Sequence, residues 1–358
     1  MEVLVMDNNL QVIGVIDQYD SLLWTDRYNS SGDFEIYTQV NQKILNLAKV
    51  DRYLWRKGSE HMMIIESITI KVDVEDGEYI TIKGRSLESL LTRRIVWGLR
   101  IVSGNVQNAI ETLLNENLIK PKMITRAMPN FRFKRSDDPS ITSLSMGEAQ
   151  FLGEDLYEAI TKITEVFNIG FKITLADDDC FEFELYNGKD RSYEQLELPY
   201  VIFSPKFENL INSDFKTDYT NYKTTTLVAG EGEDEDERTV IVGDEIIGYS
   251  RREVYTDAKD INLVNDNVTR TEEEYTRLLL ERGMESLKDQ KPDSEFEGSA
   301  EVNKVFKYGT DFFLGDIVQV ADSYGNDARS RVIEVVTTQD TSGFNVYPNF
   351  KIEDKEDK

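Results

Sequence analysis

The chain has 358 residues with 67 acidic against 41 basic side chains, a formal net charge of −26. Such a surface repels phosphate, and the short pairs Arg93-Arg94 and Arg251-Arg252 form no patch that would neutralise a nucleic-acid backbone, so sequence-specific DNA or RNA binding is not expected. The length exceeds that at which single cores usually stop growing, which predicts two or three domains, and 17 Phe with 17 Tyr exclude a disordered chain.

The first segment reads as strands. Glu2-Val3-Leu4-Val5-Met6 and Gln11-Val12-Ile13-Gly14-Val15-Ile16 flank Asp7-Asn8-Asn9, a turn of the kind that closes a hairpin. Segment 1–17 alternates and carries acids early, unlike a signal peptide. Ser21 to Trp24, a polar turn from Tyr28 to Asp33, and Phe34-Glu35-Ile36-Tyr37 continue the period of two, and further strands are predicted over 52–56, 61–74 and 78–84. Short strands at regular spacing predict a small antiparallel β-barrel domain over 1–97, complete in itself or completed by strands from 200–230.

After Gly84-Arg85-Ser86 the period becomes helical, with Ser86 as the predicted N-cap and Leu87, Leu90 and Leu91 on one face. Asn105 caps a second stripe of Val106, Ile110, Leu113 and Leu114. Leu156, Ile160, Ile163 and Phe167 make a third, ending where Gly170 supplies a left-handed residue. Phe171, Ile173 and Leu175 then alternate toward Asp177-Asp178-Asp179, and Phe181, Phe183 and Leu185 alternate back, so 98–198 reads as an α+β domain. From 199 to 350 the β pattern returns as a second barrel domain. A helical insertion near 271–290 begins with the capping-box spacing of Thr271 and Glu274, and 351–358 reads as a disordered tail. The fold class expected is mainly β: two small antiparallel β-barrel domains plus an α+β domain.

Candidate chemistry is sparse. His61 lies in an apolar strand-like run and reads as a strand residue on a half-exposed face; it is the one histidine available to a serine or cysteine nucleophile. Cys180, the lone cysteine, cannot form an internal disulfide, and aspartates beside it raise rather than lower a thiol pKa. One Cys and one His cannot build the usual four-ligand zinc site. Asp177-Asp178-Asp179 lacks the spacing of a calcium loop and reads as a turn, and the acidic run 231–237 reads as a mobile hairpin tip. Gly230-Glu231-Gly232 is followed by acids that would repel a nucleotide. Paired carboxylates of a glycosidase remain the enzymatic alternative, since sequence does not show their separation. No apolar run approaches the roughly 20 residues of a membrane helix, so no membrane insertion is expected.

Four ordered segments carry a resemblance. They are Trp24 to Tyr28 leading to Gly32-Asp33-Phe34-Glu35-Ile36; Gly84 to Arg94; Tyr186-Asn187-Gly188-Lys189-Asp190-Arg191-Ser192 with Val201 to Pro205, Asn209-Leu210, Asn221 to Lys223 and Leu227 to Glu231; and Leu280 to Leu287 with Phe313-Leu314-Gly315-Asp316-Ile317-Val318. Together they resemble the siphovirus Gp37-like tail protein family, which is similar to the baseplate-hub proteins of tailed phages. Each segment also reads simply as a turn or a strand-to-helix junction, and none transfers a catalytic, cofactor or metal residue.

The resemblance implies a structural, non-enzymatic virion protein of the tail tip or baseplate, assembled in the bacterial host cytoplasm and encoded by a phage or prophage. It implies a homotrimeric hub ring, with barrels in pseudo-sixfold array, that surrounds the DNA ejection channel. The implied partners are a distal tail protein hexamer, the tape-measure protein, and a tip, spike or receptor-binding protein; no cofactor is implied. A tail-associated cell-wall hydrolase and a carbohydrate-binding adhesin are the alternatives of other classes.

Overall fold

The computed structural model describes residues 1–74, 77–232, 238–265, 268–288, 290–300 and 305–353, with the backbone alone at 211–213, 264–265, 268–269 and 293–300. The chain falls into two compact units, residues 1–214 with 296–358, and residues 215–295.

In the first unit, β1 (Val3–Met6) and β2 (Val12–Ile16) form the expected hairpin. The Asp7 carboxylate closes it by accepting from the N–H groups of Asn9 and Gln11. Strands β3 (Ser21–Arg27) and β4 (Asp33–Gln39) place Trp24 directly opposite Phe34, with ring centroids 6.1 Å apart and both side chains buried. Helix α1 (Gln42–Leu47) is capped by Asn41 and buries Ile44 and Leu47. Then β5 (Tyr53–Arg56), β6 (Met62–Asp73) and β7 (Gly77–Ser86) complete the order β3-β4-β7-β6-β5-β1-β2. Alternation along these strands sends Val5, Trp24, Ile36, Leu54 and Ile82 into one core.

Leu87–Arg93 follows as a 3₁₀ segment that buries Leu87, Leu90 and Leu91. Ser86 does not cap it: its Oγ accepts from the N–H of Gly32 at 2.7 Å, so the hydroxyl ties β7 to the turn before β4. The α+β segment contains β8 (Arg100–Asn105), α2 (Val106–Leu114), β9 (Phe131–Lys134), α3 (Pro139–Thr142), β10 (Ser145–Phe151), α4 (Leu156–Val166), β11 (Gly170–Leu175) and β12 (Phe181–Tyr186). Asn105 caps α2 as predicted. Strands β11 and β12 pair antiparallel across the aspartate turn, β9 adds parallel to β12, and Phe133, Phe183 and Phe171 stack in series. The residue that reverses the chain after α4 is Asn168, with φ 53°, not Gly170, which already lies in β11.

After β13 (Ile202–Phe203), the chain enters the second unit within β14 (Leu210–Asp218). That unit holds a three-stranded sheet of β15 (Thr225–Ala229), β16 (Thr239–Gly243) and β17 (Glu253–Asp257), with a short pair β18 (Val264–Asn265) and β19 (Val268–Thr269). Helix α5 (Glu272–Lys288) starts with the predicted capping box, in which Thr271 Oγ1 accepts from the N–H of Glu274 and a Glu274 carboxylate oxygen accepts from the N–H of Thr271. Tyr275 and Leu279 of α5 share a small core with Val228 and Val242.

The chain leaves the second unit within β20 (Asp293–Ala300) and ends in β21 (Ile317–Ala321), β22 (Asp327–Asp340) and β23 (Gly343–Ile352). The 14-residue β22 pairs through its first part with β21 and through Glu334–Asp340 with β3, while β23 lies along its other edge. The first and last segments of the chain, expected as separate barrels, therefore share a 13-stranded sheet whose order among the described residues is an open path. Its two regions keep distinct cores, the second formed by Val201, Phe203, Phe312, Val320, Val332 and Phe350 with their neighbours. The tail expected over 351–358 begins later than that: residues 351 and 352 belong to β23 and Glu353 bonds Arg331, because pairing with β22 carries the strand that far, and 354–358 lies outside the described residues.

Replacing Trp24 by Ala leaves a large void beneath β3 and β4. It is expected to lower stability by about 3–5 kcal/mol, read from chemical denaturation; a loss below about 1 kcal/mol would show that Trp24 does not anchor this core.

Candidate functional site

A dense polar cluster in the first unit lies where three of the four ordered segments meet. Tyr28, placed by sequence in a polar turn, is buried. Its hydroxyl donates to the Asn187 side-chain oxygen at 3.0 Å and lies 3.2 Å from the carbonyl of Asn168, and its ring meets Tyr186 edge-on at 5.2 Å. The Arg331 guanidinium lies over the same ring, 5.1 Å from its centroid, and donates to Asn187 Oδ1 at 3.1 Å and to the Gly315 carbonyl at 2.9 Å. Glu353 accepts from Arg331 Nε and supplies the countercharge. Gly315, at φ 88°, and Gly170 both abut the Tyr28 ring so closely that a Cβ on either would sit 2.4 Å from it. Burial pushes the Tyr28 hydroxyl up to about 12, so it stays a donor at neutral pH.

Beside this lies a carboxylate that joins the third and fourth segments. Asp316, buried on the turn before β21, accepts from the backbone N–H of Lys189 at 2.7 Å, from Arg191 Nε at 2.7 Å and from the N–H of Phe313 at 3.0 Å. Backbone bonds run both ways, from Arg191 N–H to the Ile317 carbonyl and from Ile317 N–H to the Lys189 carbonyl. Asp190 pairs with Arg329 at 2.9 Å rather than with Arg191. Gly188 is needed because a Cβ there would lie 1.8 Å from the Gly315 carbonyl oxygen.

A second buried cluster contains the histidine. His61 is not on a half-exposed face: it is 6% exposed, and its Nδ1 lies 3.3 Å from Glu88 Oε1. The strand pattern could not show this, because Glu88 comes from the 3₁₀ segment. Glu88 also accepts from the N–H of Ile173 at 2.7 Å. Burial alone would push the imidazole down, but the hydrogen bond and charge of Glu88, with Asp26 behind it, hold His61 up at about 9. Burial raises Glu88, yet bonding to His61, Ser86 and the Ile173 N–H brings it below the ordinary carboxylate range. Asp26 is pushed up by burial against His61, Arg56 and the Trp24 N–H, which donates to it at 3.0 Å. His61, Glu88, Asp26 and Arg56 are all buried; this arrangement can orient β3, β6 and the 3₁₀ segment but offers no open face to a substrate.

The remaining candidates are dispersed. Cys180 sits just before β12, partly buried, and that burial with the charges of Asp178 and Glu182 raises its thiol pKa against Arg132. Asp178 pairs with Arg132 at 2.6 Å and Asp179 takes φ 57°, so the aspartate run is the hairpin turn. Among the described residues no three His, Cys, Asp or Glu side chains group in a way that would hold a metal. Glu231 accepts from the N–H of Leu263 at 2.8 Å, and the rest of the acidic run, 233–237, lies outside the described residues. No helix among the described residues is long and apolar enough to cross a membrane.

The family model for the siphovirus ReqiPepy6 Gp37-like protein matches residues 2–350. The chain belongs to that family. No curated protein matches it. Among solved structures, this Gp37-like chain is similar to the tail protein from Neisseria meningitidis MC58, with 14% identity, 98% of this chain and 96% of that chain covered, and a TM-score of 0.60. It is similar to the 43 kDa tail protein of prophage MuSo2 from Shewanella oneidensis, at 12% identity, 98% of each chain covered and a TM-score of 0.61. A chain of the Francisella PdpA-VgrG complex matches at 10% identity with a TM-score of 0.53, covering all of this chain and 60% of that one. At such identities the likeness is one of fold: a mainly β phage tail architecture.

The ordered segments that mark the family are thus folding signatures, which the sequence located without their partners. Tyr28 was named in the first ordered segment but as a turn residue, and Arg331 and Glu353 were missed. Arg331 lies within β22 and Glu353 just after β23, and in sequence neither charge is distinguishable from one on the surface. Replacing Asp316 by Ala strands the buried Arg191 and two N–H groups; a loss of about 3–5 kcal/mol is expected in denaturant titration, and a neutral result would assign those donors other partners. Because the folded pKa of His61, about 9, lies above its ordinary 6.5, its protonation contributes stability that is fully present below 6.5 and is lost as pH rises through about 9. Wild-type unfolding free energy should fall across that window and the fall should vanish in His61→Gln; parallel profiles would show that His61 carries no such linkage.

Proposed function

We propose that this Gp37-like chain is a structural, non-enzymatic hub subunit of a phage tail tip or baseplate. In this reading three copies close into a ring that joins the tail tube and a distal tail protein hexamer to the tip or spike and surrounds the DNA ejection channel, with the tape-measure protein as a further partner. The observation that carries it is the whole-chain family match together with the similarity to tail proteins over nearly their full lengths.

The working division is 1–97 and 199–350 as two barrel-like lobes, with the α+β segment 98–198 between them. What supports it is that Trp24, Phe34 and Ile82 share one core, α2 and α4 centre a second that Leu87, Leu90, Leu91 and Val96 join, and Phe203, Val320 and Phe350 share a third, while residues 215–295 form a compact unit of their own within the last segment. A pseudo-sixfold ring of lobes would match a hexameric partner, and closed rotational assembly keeps a head-to-tail interface from growing into a filament. The net charge of −26 suits a wall along which DNA passes without adhering.

The test is a native mass measurement of the chain co-assembled with the distal tail protein of the same phage. A complex holding three copies of this chain is expected; a chain that stays monomeric at high concentration in the presence of that partner overturns the ring.

A further inference from the structure

In a chain with so large an acidic excess, the face where residues 92–97 meet residues 122–126 is basic and apolar. Trp97 is 52% exposed and Ile124 80% exposed, and Met123 and Ile95 beside them are also exposed. Trp97 and Arg126 form the shared wall of two shallow grooves, of about 330 Å³ toward Arg94 and about 270 Å³ toward Met123 and Lys122. Each is large enough for one or two side chains.

The charges here are only partly neutralised. Arg126 stacks on the indole, 4.4 Å from the ring centroid, and donates to the Ile95 carbonyl at 2.7 Å. Arg94 donates to the carbonyls of Arg126 and Arg93, each at 2.7 Å. Carbonyls position a guanidinium without cancelling its charge. The neighbours Arg93 and Arg100 do have acids, Asp51 and Glu116, whereas among the described residues Arg94, Arg126 and Lys122 have none. Partial burial and the charge of Arg94 push the Arg126 guanidinium down. Two adjacent arginines held in place without countercharge, around an exposed tryptophan, make a surface complementary to carboxylates set among apolar groups.

We propose that this face docks an extended acidic segment of a partner protein, whose carboxylates meet Arg94 and Arg126 and whose apolar side chains enter the grooves on either side of Trp97. The small grooves favour a laid-down segment over a flat subunit surface, since each receives a single side chain of a strand-like peptide. The contact goes beyond the hub reading and stands whether or not a ring forms.

The probe is a fluorescein-labelled peptide alternating Glu and Leu, titrated by anisotropy into the full-length chain, with its Gln-Leu counterpart as control. The Glu-Leu peptide should bind saturably and about 10-fold more tightly than the control, and Arg126→Glu should weaken it by about 10-fold, the worth of one charge-assisted contact. Should Arg126→Glu disturb the fold, the exposed changes Lys122→Glu and Ile124→Asp read the same surface, with thermal melting as the check on folding. Equal binding of both peptides, no binding of either, or indifference to the folded variants overturns the proposal. So does self-association of the chain that excludes the peptide and is lost in those variants, which would make the face an interface between copies.

Discussion

Burying one tyrosine where the two ends of the chain meet is the constraint on which the first unit depends. Tyr28 closes β3, and its N–H donates to the carbonyl of Ile333 in β22 while its own carbonyl accepts from Phe171 in β11. Its ring fills the space left by two glycines and lies beneath Arg331. A phenol and a guanidinium out of water are costly unless every donor finds an acceptor. Asn187, Gly315 and Glu353 provide them, and each belongs to a different stretch of chain. The β3–β22 pairing, the turn before β21 and the end of β12 are consequently held in mutual register by the same few polar atoms.

Asp316 and the His61–Glu88 pair follow the same logic in smaller compass. A buried carboxylate with three donors, or one facing an imidazolium, tolerates few other arrangements of its neighbours. In these clusters the turn residues are the ones with least freedom to vary. Apolar positions accept many substitutes of similar volume, whereas Gly188 against the Gly315 carbonyl, or Asp316 against three N–H donors, accepts almost none.

The acidic surplus and the basic Trp97 face divide the surface by use. Under the hub reading proposed above, a generally anionic exterior would suit the passage of DNA, and against it the local cationic, apolar face stands out. Neither side chain suited to nucleophilic chemistry is poised for it: the histidine is sealed among Glu88, Asp26 and Arg56, and the cysteine thiol is raised by burial and by its acidic neighbours.

Much of this was legible in the amino-acid order, because it is local. Period two located β1 to β7, β11 and β12; period 3.6 located α2 and α4; the capping-box spacing located α5; and the caps Asn105 and Thr271 act as their spacing predicts. Composition alone bounded the available catalytic and metal chemistry. What tertiary structure decided is everything that needs a partner distant in sequence. Ser86 left its helix to bond Gly32, Gly170 yielded the left-handed position to Asn168, His61 found Glu88, and β22 reached β3 to carry one sheet across the expected boundary between barrels. Periodicity reports which face of an element is apolar, not which buried acid or carbonyl will stand opposite it. That is why the sequence displayed the four ordered segments, and only the fold showed three of them gathered around Tyr28 and Asp316.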